Sequence, residues 1–167
     1  IQADDEVIFF NFRNDRPRQL GAALAEQDFN EFERHAFTPI NMSTMTVFHS
    51  SFNSPVAFQS EHPTISLAEV VSNRGLKQFH CAETEKYPHV TFFINGGKEK
   101  PFPGEDRIMV PSPKVATYDL KPEMSAKQVT DEVIASVEAG EHSLIIVNYA
   151  NGDMVGHTAV PEAIIKA

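Results

Sequence analysis

The sequence predicts an α/β protein made of parts of two domains, with a mostly parallel sheet flanked by helices after about residue 60. Three observations lead there. A continuous apolar run, Leu144 to Val147, follows a helical pattern and precedes a polar loop, the order of a strand covered on both faces in a parallel sheet. An earlier apolar run, Val7 to Phe10, also feeds a helical pattern through a short turn. Between them, Ser50 to Pro63 is rich in breakers (Asn53, Ser54, Pro55, His62-Pro63) and poor in periodicity, which reads as a linker.

In chain order, Glu6 to Phe12 suits a buried strand. Asp15 is placed to cap the helix that Pro17, Leu20, Ala23 and Leu24 mark out. Met45 to His49 reads as a second strand. Ser66 and Glu69 have the spacing of a capping box before Leu67, Val70 and Val71, and Gly75 suits the left-handed end of that short helix. Leu76 to Ala82 reads as a strand, and Glu83 to Phe93 as a loop passing into a helix, although Val90 to Ile94 fits a strand equally well. Lys98 to Pro113 holds Pro101, Pro103, Pro111, Pro113 and Gly104, leaving room for at most a short strand at Arg107 to Val110. Ser125 and Gln128 form a second capping box ahead of a helix whose apolar face is Val129, Val133, Ile134 and Val137, closed by Gly140. Asn148 to His157 is the loop beyond the following strand.

At 167 residues and 41% hydrophobic, the chain can bury one ordinary core or parts of two. Its 23 acidic against 14 basic residues give a net charge of -9, which opposes a general nucleic-acid or anionic-membrane surface. The single cysteine, Cys81, excludes an intrachain disulfide and reads as a small buried hydrophobe in a reducing compartment. With no run of about 18 apolar residues and no signal-peptide start, the cytoplasm is the expected location. A first residue Ile1 and an apolar helix unfinished at Ala167 read as cut ends of a longer chain.

Three clusters are candidates for chemistry. Asp153 and His157 are four residues apart just beyond a strand; on one helical turn they would offer an oxygen and a nitrogen donor to a divalent cation, although an Asp cap beside a surface His has the same spacing. Arg13-Asn14-Asp15-Arg16, with Arg18, gathers guanidiniums at a strand-to-helix turn, suited to an anion or simply to a solvated helix start. Lys86 follows Glu83-Thr84-Glu85 at a strand end, either beside a phosphoryl group or paired in solvent with Glu83 or Glu85. His89 is close enough to Lys86 to help order that loop. His35, His49, His62, His80 and His142 show no ligand-like spacing. There is no G-x-S-x-G, P-loop, G-x-G-x-x-G or paired C-x-x-C.

Four ordered blocks, Phe10 to Arg16, Ala82 to Phe93, Ser112 to Asp119 and Asn148 to Thr158, resemble successive blocks of the cofactor-independent phosphoglycerate mutases of the alkaline phosphatase superfamily. The resemblance runs along essentially the whole chain and matches the middle third or so of such an enzyme. Ala159, where the family generally has glycine, and Ile94-Asn95 depart from its pattern without touching a proposed ligand.

The resemblance implies an isomerase of glycolysis and gluconeogenesis that interconverts 2-phosphoglycerate and 3-phosphoglycerate through a phosphoserine, with two Mn2+ ions in the complete, monomeric enzyme. Asp153 and His157 match two ligands of one manganese, Arg13 and Arg16 match substrate-gripping arginines with Asn14 and Asp15 between them, and Lys86 matches the lysine that approaches the phosphoryl group. Residues 1–60 would be the end of the transferase domain and 61–167 part of the metal-binding phosphatase domain. The nucleophilic serine and the remaining ligands are unmatched, so this piece alone is expected to be inactive. The alternatives are another phosphomutase or phosphatase of the superfamily, or a binding module without catalysis.

Overall fold

The computed structural model describes every residue except Ile1, Ala3, Ala36, Phe37 and His62, so His62 of the expected linker lies outside the described residues. The chain forms two compact units, Ile1–His62 and Pro63–Ala167.

In the first unit, β1 (Glu6–Phe9) pairs in parallel with β2 (Asn41–Thr44), with Glu6 opposite Asn41 and Phe9 opposite Thr44, and α1 (Pro17–Ala25) lies between them in sequence. Pleating turns Val7 and Phe9 inward, where Phe9 meets Phe48 edge-on at 5.1 Å; Ile8 points the other way and is 71% exposed, so the expected fully buried strand is buried on one face only. Ile40, Met42 and Phe48 form the buried core of this unit. The second strand precedes the expected Met45 to His49. Its end is set by Thr44, whose hydroxyl donates to the Thr46 carbonyl at 2.9 Å and folds the chain into a turn where the apolar run begins. The breaker-rich stretch is held to this unit, because Thr44 bridges to Val56 and Ala57 N–H donates to the Thr44 carbonyl at 2.9 Å. At the other end of α1, the Arg34 guanidinium caps the Ala23 and Glu26 carbonyls.

The second unit is built on a parallel sheet of order β4-β3-β5, formed by β3 (Gln78–Glu83), β4 (Glu105–Val110) and β5 (Leu144–Asn148). With a neighbour on each side, β3 is buried at every residue, including polar Gln78, His80 and Glu83. The apolar run in β5, expected to be covered on both faces, is only partly buried, with Val147 36% exposed. Sheet position, rather than local hydrophobicity, sets burial here.

Helix α2 (Leu67–Asn73) starts as its sequence predicts: Ser66 Oγ accepts from Glu69 N–H at 3.2 Å, and Gly75 follows at φ 67°. Helix α4 (Ala126–Ala139) ends at left-handed Gly140, but Ser125 does not cap it. Its hydroxyl donates instead to the Pro111 carbonyl at 2.7 Å, drawn away from the helix by a tertiary partner. The inward stripe of α4 is buried Val129 and Ser136 with partly buried Val133; Ile134, five positions from Val129 and off its three- and four-residue steps, is 48% exposed, and Val137, near the end of the helix, is 60% exposed although it lies on those steps. Phe79, Cys81, Val110 and Val129 form the core under this helix, and burial pushes the Cys81 thiol up to about 11, consistent with an inert packing role. The strand alternative at Val90 to Ile94 is not taken: a 3-10 turn, Thr84–Lys86, runs into α3 (Tyr87–Val90), and Thr91 caps back onto the Tyr87 carbonyl at 2.7 Å. The chain closes with α5 (Asn151–Gly156) and α6 (Pro161–Lys166). Among the described residues, no helix is long and apolar enough to cross a membrane.

Gly104 makes the turn into β4 with φ 78°, and a Cβ there would lie 3.0 Å from the Leu76 carbonyl oxygen. Gly104→Ala is therefore expected to destabilise the chain by about 2 kcal/mol through left-handed strain and this backbone approach. An unchanged urea midpoint for the variant would refute the assignment.

Candidate active site

Parallel strands of an open α/β sheet leave the loops after their C-terminal ends free to gather ligands. After β3 the 3-10 turn carries Lys86, and after β5 helix α5 carries Asp153 in its first turn with His157 at its C-cap. The expected loop Asn148 to His157 is thus mostly helical, which puts Asp153 and His157 on one side. Lys86 Nζ donates to Asp153 Oδ2, and Asp153 Oδ1 lies 3.4 Å from His157 Nε2. The lysine side chain is 13% exposed, against 50% for Asp153. Its hydrogen bond holds the Asp153 carboxyl below the usual carboxylate range, with charge effects of Lys86, His157 and His89 adding to it and partial burial opposing. Asp153 is therefore ionised at neutral pH, as a metal ligand must be.

Lys86 pairs with neither carboxylate nearest it in sequence. Glu83, fully buried at the end of β3, accepts from the Ser125 N–H at 3.3 Å; burial pushes its carboxyl above the ordinary range despite that bond. Glu85 accepts from the Tyr118 hydroxyl at 2.7 Å. The sequence had pointed to Glu83 or Glu85 as the solvent partner of Lys86; tertiary donors occupy both.

The arginine cluster lies in the first unit, at the turn between β1 and α1. Arg13 Nη2 is 3.0 Å from Asp15 Oδ2, with the Arg13 side chain 83% exposed. Asn14 Nδ2 donates to the Val47 carbonyl at 3.4 Å. Asp15 is not the helix cap. That position belongs to Arg16, with helical backbone and no side-chain capping bond, and Pro17 begins the helix. The Asp15 carboxyl is engaged by the Arg16 N–H and by Arg13, which hold it below its ordinary value.

His80, without ligand-like spacing in the sequence, is a centre of the buried interior. Its Nδ1 lies 2.6 Å from the Val90 carbonyl oxygen and 3.5 Å from Glu105 Oε1, and its Nε2 is 3.1 Å from Gln78 Oε1. The only signal is that Gln78 and His80 alternate with apolar Phe79 and Cys81 along a strand, and nothing in it names partners 10 to 25 positions away.

As a metal centre the second unit contributes a pair of donors: among the described residues, no three His, Cys, Asp or Glu side chains converge. The pair fits. Two donors each about 2.1 Å from one ion lie roughly 3.0 to 3.4 Å apart when they occupy neighbouring coordination positions, which the Asp153 to His157 separation matches. Carboxylate oxygen with imidazole nitrogen suits a borderline or hard divalent cation.

Parallel sheets flanked by helices, with a carboxylate and an imidazole presented together beyond the strand ends, are the frame of a metal-dependent α/β enzyme. The sequence profile of the metalloenzyme superfamily matches residues 24–167, and the chain belongs to that superfamily. More particularly, it is 55% identical over all 167 residues to the 2,3-bisphosphoglycerate-independent phosphoglycerate mutase of Synechococcus elongatus and 57% identical to that of Helicobacter pylori. It covers 31% and 34% of those proteins, so the chain spans about a third of the length of the curated relatives it matches. Among solved structures it is similar to Leishmania mexicana phosphoglycerate mutase determined at low cobalt concentration, with a TM-score of 0.63 and 30% identity over 99% of this chain and 31% of that one. The expected fold class and the resemblance read from the four blocks are both borne out.

Proposed function

We propose that this chain is the central portion of a cofactor-independent phosphoglycerate mutase, which interconverts 2-phosphoglycerate and 3-phosphoglycerate through a phosphoserine as a cytoplasmic monomer. The observation that carries the reading is the meeting of Lys86, Asp153 and His157 beyond the strand ends. Asp153 and His157 are two ligands of a manganese ion; when bound, it supplies the Lewis acidity that neutralises phosphoryl oxygens. Lys86 brings a compact, partly desolvated cation to the same place, where it steadies charge on the phosphoryl group in transit. Asp153 keeps that ammonium oriented before substrate arrives, by the hydrogen bond between them. Residues 1–60 are the end of the transferase domain and 61–167 part of the phosphatase domain.

The Arg13 to Arg16 turn grips the glycerate phosphate in this reading. Two guanidiniums at a helix start offer paired donors to one anion, and Asp15, tied to Arg13, restrains that side chain. Arg13→Lys and Arg16→Lys in the complete protein are each expected to raise KM about tenfold, since lysine keeps the charge but loses the fork. Steady-state assays in which both variants keep the parent KM would remove the arginines from the substrate site. The reading as a whole is tested by assaying the complete protein for conversion of 3-phosphoglycerate without added bisphosphoglycerate; no manganese-dependent turnover would overturn it.

A further inference from the structure

Tyr118 lies in neither of the elements that carry Lys86 and Asp153, yet it touches both. It opens a 3-10 turn, Tyr118–Leu120, and it packs, as Met154 does independently, against the apolar cluster of Met124, Ala150, Val155 and Ala163. Val155 of that cluster lies two positions after Asp153 in α5, and the Tyr118 turn contacts α5, so the tyrosine rests on the helix that presents the carboxylate. At its other end the Tyr118 hydroxyl donates to Glu85 Oε1 at 2.7 Å, and Glu85 is the middle residue of the turn that ends in Lys86.

The other bonds to this turn run elsewhere. Glu85 N–H donates to Ser112 Oγ at 3.4 Å and Ser112 N–H to Thr84 Oγ1 at 3.2 Å, tying the turn to the segment after β4 and not to α5. The Lys86 to Asp153 bond does link turn and helix, but it competes with any cation that claims the same carboxylate. Tyr118 makes a link that such a cation would leave intact. It also occupies the carboxylate adjacent in sequence to Lys86, which would otherwise compete with Asp153 for the ammonium. The bond to Glu85 and partial burial push the phenol up to about 12, so it remains a donor throughout the neutral range.

We propose that Tyr118 is a positioning residue for phosphoryl transfer: its ring rides on α5 with Asp153, and its hydroxyl holds Glu85 so that Lys86 is aimed at the Asp153 and His157 pair. This rests on the mutase reading given above. Tyr118→Phe keeps the ring and removes the strut, Glu85→Ala removes its other end, and the double variant removes nothing further.

The test is steady-state kinetics on the complete manganese-loaded protein, with thermal melts and manganese calorimetry on each variant. Tyr118→Phe is expected to lower kcat about tenfold, with KM for 3-phosphoglycerate and the melting temperature little changed, because misaiming a charged group costs turnover while the arginine grip is untouched. Glu85→Ala should give a similar loss, and the double variant a loss no larger than the greater single one. Manganese affinity should hold within about threefold in Tyr118→Phe, which retains the packing on α5, and fall further in Tyr118→Leu, which does not. An active parent protein with Tyr118→Phe turnover within twofold of it, or with losses that multiply in the double variant, overturns the strut and leaves the mutase reading standing. An inactive parent overturns the mutase reading and this proposal with it.

Discussion

Asp153→Ala is expected to abolish measurable phosphoglycerate interconversion in the complete protein, and Lys86→Ala to lower kcat by about 10²- to 10³-fold with a much smaller change in KM. The difference follows from what each residue supplies. Asp153 gives the oxygen of the donor pair and the partner that orients Lys86, so its loss removes a charged metal ligand and leaves the ammonium without a fixed acceptor. Lys86 supplies one preorganised charge, and removal of a single such group typically costs two to three orders of magnitude. The 167-residue chain alone should bind manganese weakly and turn nothing over, because it offers two ligands and no matched nucleophile. Calorimetric manganese titration and a mutase assay on the purified chain check this. Tight binding that survives Asp153→Ala, or turnover by the chain itself, would refute the assignment of both residues.

Glu105→Gln should cost the second unit about 3 kcal/mol at neutral pH. The Glu105 side chain is 0% exposed and accepts from Arg107 Nε at 2.6 Å, the Asn95 amide at 2.9 Å and the Phe102 N–H at 2.8 Å, with His80 3.5 Å away. Burial pushes its carboxyl up, but the Phe102, Asn95 and Arg107 hydrogen bonds and the His80 charge together outweigh it, and it lies below its ordinary value of 4.5. A neutral amide leaves Arg107, whose Nη2 already lacks a partner among the described residues and whose Nη1 reaches only the Glu99 carbonyl, as a largely buried cation without its counter-charge. The sign of the pH dependence follows from that depression. The carboxylate contributes stability that is fully present above its unfolded value and is lost as pH falls through the lower folded value. The gap between parent and Glu105→Gln in urea unfolding should therefore be widest near pH 7 and close in acid. A gap that is constant from pH 7 to pH 3 would show that the charge of Glu105 is not what holds this cluster.

How much of this was legible beforehand differs residue by residue. Ser66 capping α2, Gly75 and Gly140 at helix ends, the Leu144 to Val147 strand and the one-sided pairing of Asp153 with His157 are all local features: each depends on residues a few positions apart, where backbone geometry alone fixes who meets whom. Ser125 had the same local signature as Ser66 and failed, because the Pro111 carbonyl claimed its hydroxyl. Burial in the sheet also ran against local pattern, the polar-bearing strand β3 being central and the apolar strand β5 lying beside it.

By itself the sequence determined the α/β class, the helix before the Leu144 to Val147 strand and that strand itself, and the family its four blocks resemble. Tertiary structure alone decided that Lys86 meets Asp153, 67 positions away, rather than Glu83 or Glu85. It likewise decided that His80, a histidine with no motif, sits at the heart of a buried polar cluster. The reason is the range of the forces involved. Helix periods and caps are written into neighbouring residues, whereas the partner of a charge depends on which distant donors the packed sheet brings near and which competitors they have already satisfied.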